Sequence, residues 1–197
     1  MKLVKYSHKL GITRCEAQAK AIRQVGATLV VGATPSLRWE NAQFLDAKTH
    51  SLDFNTSSLP FVSECLDVVV CEQVIEHLHN TVWFLKELHR ILSPGGQLIL
   101  ATENLSSWPN LLAMLAGKTP FSCQHICGQF LGGWQDGPEV STIYHRQNDP
   151  LQSGIHGHVR VMALNQLELL LTQLKFRLVK RYTYIGRHYI LLDLRKE

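Results

Sequence analysis

The stretch Leu66–Asn104, LDVVVCEQVIEHLHNTVWFLKELHRILSPGGQLILATEN, constrains the fold of this 197-residue chain more than any other. Leu66–Cys71 and Leu98–Ala101 are short apolar runs rich in Val, Ile and Leu. Such runs suit strands covered on both faces, as in a parallel sheet. Between them Val82, Leu85, Leu88 or His89, and Leu92 recur at helical spacing, with Lys86, Glu87 and Arg90 facing elsewhere. Asn80 or Thr81 can cap the helix by accepting free N–H groups of its first turn. Pro94 cannot continue the helix, and Gly95-Gly96 permit the positive φ of a reversal into the next strand. Two parallel strands joined by a helix form a right-handed crossover unit, which predicts an α/β protein.

Composition narrows the function classes. A chain of this length forms one domain with a substantial core. Its 45% apolar and 18% charged residues are those of an ordinary globular protein. The net charge of +4 is mild. Lys2, Lys5, Lys9, Arg14, Lys20 and Arg23 cluster near the start, but only Tyr6 is interleaved with them, so no nucleic-acid patch is expected. No apolar run reaches the ~18–20 residues of a membrane span. The opening MKLVKYSHKL lacks the long apolar core of a signal peptide, and five irregularly spaced cysteines suit a reducing compartment. A cytoplasmic location is expected.

The quoted stretch resembles the central segment of class I S-adenosylmethionine-dependent methyltransferases, in the small-molecule, type 11-like branch. The pattern E-x-x-E-H-L … L-x-E-x-x-R-x-L-x-P-G-G falls on Glu72, Glu76, His77, Leu78, Leu85, Glu87, Arg90, Leu92, Pro94, Gly95 and Gly96. Leu59-Pro60-Phe61 upstream and His158-Val159-Arg160 downstream also fit. The resemblance implies a Rossmann-like, mostly parallel sheet of about seven strands, helices on both faces and a C-terminal antiparallel hairpin. It implies S-adenosyl-L-methionine as cofactor and a small-molecule acceptor. The whole chain, 1–197, reads as a single methyltransferase-like domain with a lid insertion at 105–160.

Taken in order, Thr13-x-x-Glu16 is a capping box before a helix carrying Ala17, Ala21, Ile22 and Val25. A strand over Ala27–Val31 then runs into Gly32-Ala33-Thr34-Pro35-Ser36, where the resembling family places its cofactor loop. That loop normally has several glycines, so that backbone N–H groups face the ligand; here there is one. Asp46 ends the next strand, and it either accepts hydrogen bonds from the ribose hydroxyls or is an exposed loop carboxylate. His50–Phe54 is a candidate short third strand. Asp53, or Asn55 or Ser57 after it, stands where the family has an adenine-contacting polar residue. By resemblance, Cys71, Glu72 and Gln73 line the methionine end of the cofactor.

Glu72, Glu76, His77 and His79, and separately Cys123-x-His125-x-Cys127, carry ligand-type side chains, but neither set has a partner cluster at metal spacing, so no metal is expected. Trp108–Ala116 reads as an apolar helix with Leu111, Leu112, Met114 and Leu115 available to pack. The long connection Lys118–Arg160 holds six of the 13 glycines and four of the ten histidines, and such a connection is commonly a functional lid. Met162–Leu174 is amphipathic, with Leu164, Leu167, Leu170, Leu171 and Leu174 forming its stripe. Phe176–Ile185 and His188–Leu194 alternate as a hairpin around Gly186-Arg187.

The expected function is methyl transfer from S-adenosyl-L-methionine to a small molecule. The sulfonium already activates the methyl group, so positioning and exclusion of water can supply most of the rate. A hydroxyl acceptor would benefit from a base, for which His125, Tyr144, His145 and His156 are candidates. A catalytically silent binding or scaffold relative is the alternative suggested by the glycine-poor loop.

Overall fold

The computed structural model describes residues 28–31, 42–45, 52–123, 125–126, 129–130, 158–184 and 188–197. The N-terminal capping-box helix, Gly32–Ser36, Asp46, Tyr144, His145 and His156 lie outside the described residues. His125 is described only through its backbone.

The strands are β1 (Thr28–Val31), β2 (Ala42–Leu45), β3 (Leu66–Glu72), β4 (Leu92–Glu103), β5 (His125–Ile126), β6 (Gln129–Phe130), β7 (Phe176–Tyr184) and β8 (Tyr189–Lys196). The helices are α1 (Thr81–Ile91), α2 (Trp108–Leu115) and α3 (Leu164–Gln173), with single 3-10 turns at Ile75–His77 and Phe121–Cys123. Six strands form one sheet in the order β2-β1-β3-β4-β8-β7. β1 is parallel to β2 and to β3, and β3 is parallel to β4. β8 returns antiparallel to β4, and β7 antiparallel to β8. The α/β class, parallel centre and closing hairpin are as expected; the main sheet has six strands among the described residues rather than about seven.

Side chains alternate across this sheet, and both faces are buried. On one face Val69, Cys71, Leu98, Leu100, Leu192 and Leu194 meet Leu85 and Leu88 of α1 and Leu167 and Leu171 of α3. On the other, Val30, Val68, Val70, Ile99, Ala101 and Leu191 form a second cluster with Tyr182. Two buried faces explain why β3 and β4 read as unbroken apolar runs.

The structure departs from the sequence reading in four places. Leu52–Phe54, the described part of the candidate third strand, is not a strand. The Asp53 carboxylate accepts from the Asn55 backbone N–H (2.9 Å) and the Thr56 hydroxyl (3.1 Å), and this local Asx turn competes with strand pairing. In α1 the inward face is Thr81, Phe84, Leu85, Glu87, Leu88 and Ile91, while Val82 is 37% exposed. The Pro94-Gly95-Gly96 reversal is a bulge inside β4: Leu66 pairs with Leu92, but Val68 pairs with Gln97. Four residues of β4, 93–96, thus oppose one on β3, Asp67, and Gly95 takes φ 73° there. Finally, α2 buries only Asn110 and Ala113; Trp108, Leu112, Met114 and Leu115 are at least half exposed.

Candidate active site

The strand order reverses direction between β1 and β3: the chain passes from β1 outward to β2, then returns to β3 on the other side. Ligands in open α/β sheets bind beyond the carboxyl ends of the strands at such a point. Val31 pairs with Cys71 and Glu72 with Ala101, so the ends of β1, β3 and β4 share one rim. Cys71, Glu72 and Gln73 stand on it, as expected from sequence. Gln73 has φ 50°, and its N–H donates to the Ala101 carbonyl at 2.9 Å. A non-glycine residue in the left-handed region is sparse and tends to persist where surrounding structure fixes it, often at binding sites. Burial pushes the Cys71 thiol well up, reinforced by the nearby Glu76 and Glu72 carboxyls, which keeps it protonated and unreactive.

Below this rim lies a cluster of carboxyls and imidazoles that sequence reasoning had not joined. The turn Ile75–His77 places Glu76 in the interior, fully buried. Its Oε2 accepts from the Thr102 hydroxyl at 2.8 Å, and its Oε1 has no hydrogen-bond partner. Its backbone carbonyl accepts from Val159 N–H (2.7 Å) and Arg160 N–H (3.1 Å), which docks the His158-Val159-Arg160 segment onto the Glu76-His77 turn. The rings of His77 and His158 meet edge-to-face at 4.8 Å. Glu103, the last residue of β4, is 7% exposed. Its Oε2 lies 3.6 Å from His158 Nδ1 and 3.9 Å from His188 Nε2, with no hydrogen-bond partner of its own.

Burial pushes the Glu103 carboxyl up to about 8, against the lowering effect of a Ser122 side-chain hydrogen bond and with a further rise from Glu76. Burial likewise raises Glu76 to about 7, opposed by its hydrogen bond from Thr102. Desolvation of this kind penalises the charged form. His158 Nδ1 is 2.7 Å from the Ser122 carbonyl. A carbonyl can only accept, so Nδ1 carries a proton, and Nε2 is the nitrogen left bare when the ring is neutral. Glu76, His77 and His158 each offer one ligand-type atom within 4.8 Å of the others.

Several motif residues prove to be scaffolding. Arg90 donates through Nε and Nη2 to the two oxygens of Glu87, both at 2.8 Å, through Nη1 to the Phe61 carbonyl (2.8 Å), and through Nη2 to the Leu59 carbonyl (3.1 Å). Glu87 Oε2 also accepts from Leu59 N–H at 2.8 Å. The hydrogen bonds from Arg90, its largest influence, hold the Glu87 carboxyl below its usual range despite burial. The Glu87/Arg90 spacing therefore clamps the Leu59-Pro60-Phe61 strap. Asn55 accepts from Asn80 N–H at 2.9 Å, and Asn80 Oδ1 accepts from Trp83 N–H at 3.2 Å as the cap of α1. Asp53 stays exposed with its carboxylate engaged by its own turn; the Asn55 backbone hydrogen bond, the largest cause, lowers its pKa.

The rim continues into α2 through Asn104. Its Oδ1 accepts from Ser106 N–H (3.1 Å), the Ser106 hydroxyl (2.8 Å) and Leu164 N–H (3.1 Å), tying β4 to α3. Asn110 Nδ2 donates to the Asn104 carbonyl (2.9 Å) and Ser122 Oγ (2.8 Å), while its Oδ1 accepts from Ser122 N–H (3.1 Å). These bonds place Ser122 beside Glu103 and His158.

The methyltransferase domain family matches residues 11–100. Over 50 residues the chain is 44% identical to a "Probable S-adenosylmethionine-dependent methyltransferase" of Mycolicibacterium smegmatis, covering 25% of this chain and 20% of that protein. Over these stretches the chain is similar to S-adenosylmethionine-dependent methyltransferases. Over 53 residues it is 34% identical to a mitochondrial ubiquinone biosynthesis O-methyltransferase of Rattus norvegicus, covering 27% of this chain and 15% of that one. The matched stretches thus span a fifth or less of these curated relatives. Among solved structures, an S-adenosylmethionine-dependent methyltransferase of Thermotoga maritima, titled a possible histamine N-methyltransferase, superposes with a TM-score of 0.57. It is 14% identical, with 98% of this chain and 92% of that one covered, a likeness of fold. The cofactor of the family is S-adenosylmethionine. No described helix is long and apolar enough to cross a membrane.

Proposed function

We propose that this chain transfers the methyl group of S-adenosyl-L-methionine directly to a small-molecule acceptor. The observation that carries the reading is the shared rim of β1, β3 and β4 at the reversal of strand order, with Gln73 held in the left-handed region above a buried acid–imidazole cluster. A rim of strand ends with backbone polar groups and Glu72 suits the polar methionine end of the cofactor, so the residues present fit the group. Glu72 and Gln73 would hold that end, with Gly32, Ala33, Asp46 and Asp53 as further cofactor contacts. When bound, the cofactor supplies a methyl carbon already activated by its sulfonium. The chain's part is to align an acceptor in line with the carbon–sulfur bond and to keep water away. No metal is required by that chemistry.

The ubiquinone biosynthesis relative acts, by its name, as an O-methyltransferase, which supports a small hydroxylic acceptor here. The single glycine in Gly32–Ser36 favours a second reading, a silent relative that keeps the fold. One measurement separates them. S-adenosylhomocysteine at about 100 times its dissociation constant stabilises a binding protein by roughly 2.7 kcal/mol, visible as a rise in Tm. No rise at millimolar concentration would establish the silent reading.

A further inference from the structure

We propose that Glu103 is the proton acceptor for the methyl acceptor, that the acceptor is a phenol-type hydroxyl, and that His158 and His188 flank the carboxylate. The proposal rests on the methyltransferase reading above and deepens it.

Glu103 ends β4 on the rim where the substrate would stand. It is buried, yet its Oε2 has no hydrogen-bond donor, and neither does Oε1 of the fully buried Glu76. A buried acceptor oxygen left unmatched costs about 1–3 kcal/mol, so such atoms in native proteins usually serve a ligand or water. A hydroxyl brought to Oε2 supplies the missing donor and places its own oxygen beside the base. Among the described residues, the titratable groups facing Glu103 are Glu76 from the turn after β3, His158 from the segment before α3, His188 from the turn before β8 and Cys123 from the turn after α2. The Ser122 hydroxyl also faces it. His158 presents Nδ1–H to the Ser122 carbonyl, and His188 Nδ1 meets the Ser107 hydroxyl at 3.2 Å. Both rings are therefore fixed by neighbours from other elements, and the carboxylate lies between them.

The chemistry selects the acceptor. A neutral amine attacks without first losing a proton, so it gains nothing from a base at Oε2. An aliphatic hydroxyl is too weak an acid to yield its proton to a carboxylate. A phenol ionises near 10, about two units above Glu103. In the step, the acceptor O–H bond breaks and its proton goes to Glu103 Oε2. The electron pair left on oxygen forms the bond to the methyl carbon as the carbon–sulfur bond breaks, with its pair retained by sulfur. The products are an aryl methyl ether, a neutral thioether and a protonated Glu103.

The test uses phenol and 4-nitrophenol, at a pH where the second is already phenolate and the first is not. Glu103→Gln should lower kcat for phenol by about 100-fold or more and that for 4-nitrophenol by less than about threefold. It should leave the S-adenosylhomocysteine-induced rise in Tm unchanged. Equal losses on both acceptors would reduce Glu103 to a structural role and overturn the proposal. Should the wild-type protein methylate neither phenol, the proposal fails; a persisting rise in Tm would show that cofactor binding survives that failure. If Glu103→Gln does not fold, the wild-type pH profile decides. With Glu103 as base, the phenol rate levels off above about pH 8. Without it, the rate climbs tenfold per pH unit up to the phenol's own ionisation near 10, which would sink the idea.

Discussion

Glu76 and Glu103 make the stability of this protein depend on pH in a direction opposite to that of most carboxylates. Both are raised in the folded state, from 4.5 to about 7 and about 8, because burial favours the neutral acid. Between the unfolded and folded values the native state binds more protons than the unfolded chain. Their contribution is therefore complete below about pH 4.5 and is lost as pH rises through 7 and 8. The loss is on the order of 3 kcal/mol for Glu76. Glu87, lowered by Arg90, acts the other way and loses its contribution in acid. Urea midpoints should fall from pH 6 to pH 9, and Glu76→Gln, neutral at every pH, should flatten that fall. A midpoint that rises over this interval would contradict the burial argument. Arg90 gives a second test at this scale. Its guanidinium makes four hydrogen bonds of 3.1 Å or shorter, to Glu87 and to the carbonyls of Leu59 and Phe61. Arg90→Ala should cost about 2–3 kcal/mol in urea unfolding, since bonds to charged groups are lost and Glu87 stays buried. Arg90→Lys should recover only part, because an ammonium cannot span that fork.

At the scale of elements, β4 and α2 depend on single small residues. A Cβ on Gly96 would sit 2.7 Å from the Ser93 carbonyl oxygen, a backbone atom that cannot swing away. Gly95 has open space around it but φ 73°. Gly96→Ala should therefore destabilise by about 1–3 kcal/mol through overpacking of the bulge, and Gly95→Ala by about 1 kcal/mol through backbone strain alone. Denaturant titration of the two variants compares the causes, and a neutral Gly96→Ala would show that the bulge relaxes freely. In α2 the Asn110 amide, rather than leucine packing, attaches the helix to Asn104 and Ser122. The sequence gives no periodic signal for that, because a lone asparagine on an apolar helix looks like an interruption. The same holds for the acid–imidazole cluster. Glu76, Glu103, His158 and His188 lie up to 112 positions apart in sequence, from 76 to 188. Only the antiparallel return of β8 onto β4 and the docking of Val159 on Glu76 bring them together. By contrast β3, α1 and the β7–β8 hairpin were legible, since an unbroken apolar run, a capped helical stripe and an alternating pair each lie within a short stretch of sequence.

Across the molecule, the sheet is protected unevenly, and this bears on how the site is held. β3, β4 and β8 each have paired neighbours on both sides, whereas β7 is an edge strand. Seven of the eight β8 residues are buried, Tyr189 to Leu194 one after another, as a central strand requires. β7 instead turns Arg177, Lys180 and Arg181 to solvent, a charged edge that resists pairing with a second chain. The polar ends that make the rim belong to the protected strands: Glu72 to β3 and Thr102 and Glu103 to β4. A base positioned by the interior of the sheet needs little reorganisation when substrate arrives, which is the arrangement that favours catalysis by positioning. Hydrogen exchange should therefore be slowest at Val69–Cys71, Leu98–Leu100 and Ile190–Leu192, approaching the global unfolding free energy. Amides of β7 that face away from β8 should exchange faster. If amides at Ala101–Glu103 exchanged as fast as those of β7, the rim would be a fraying end, and the fixed geometry on which Glu103 depends as a base would be lost.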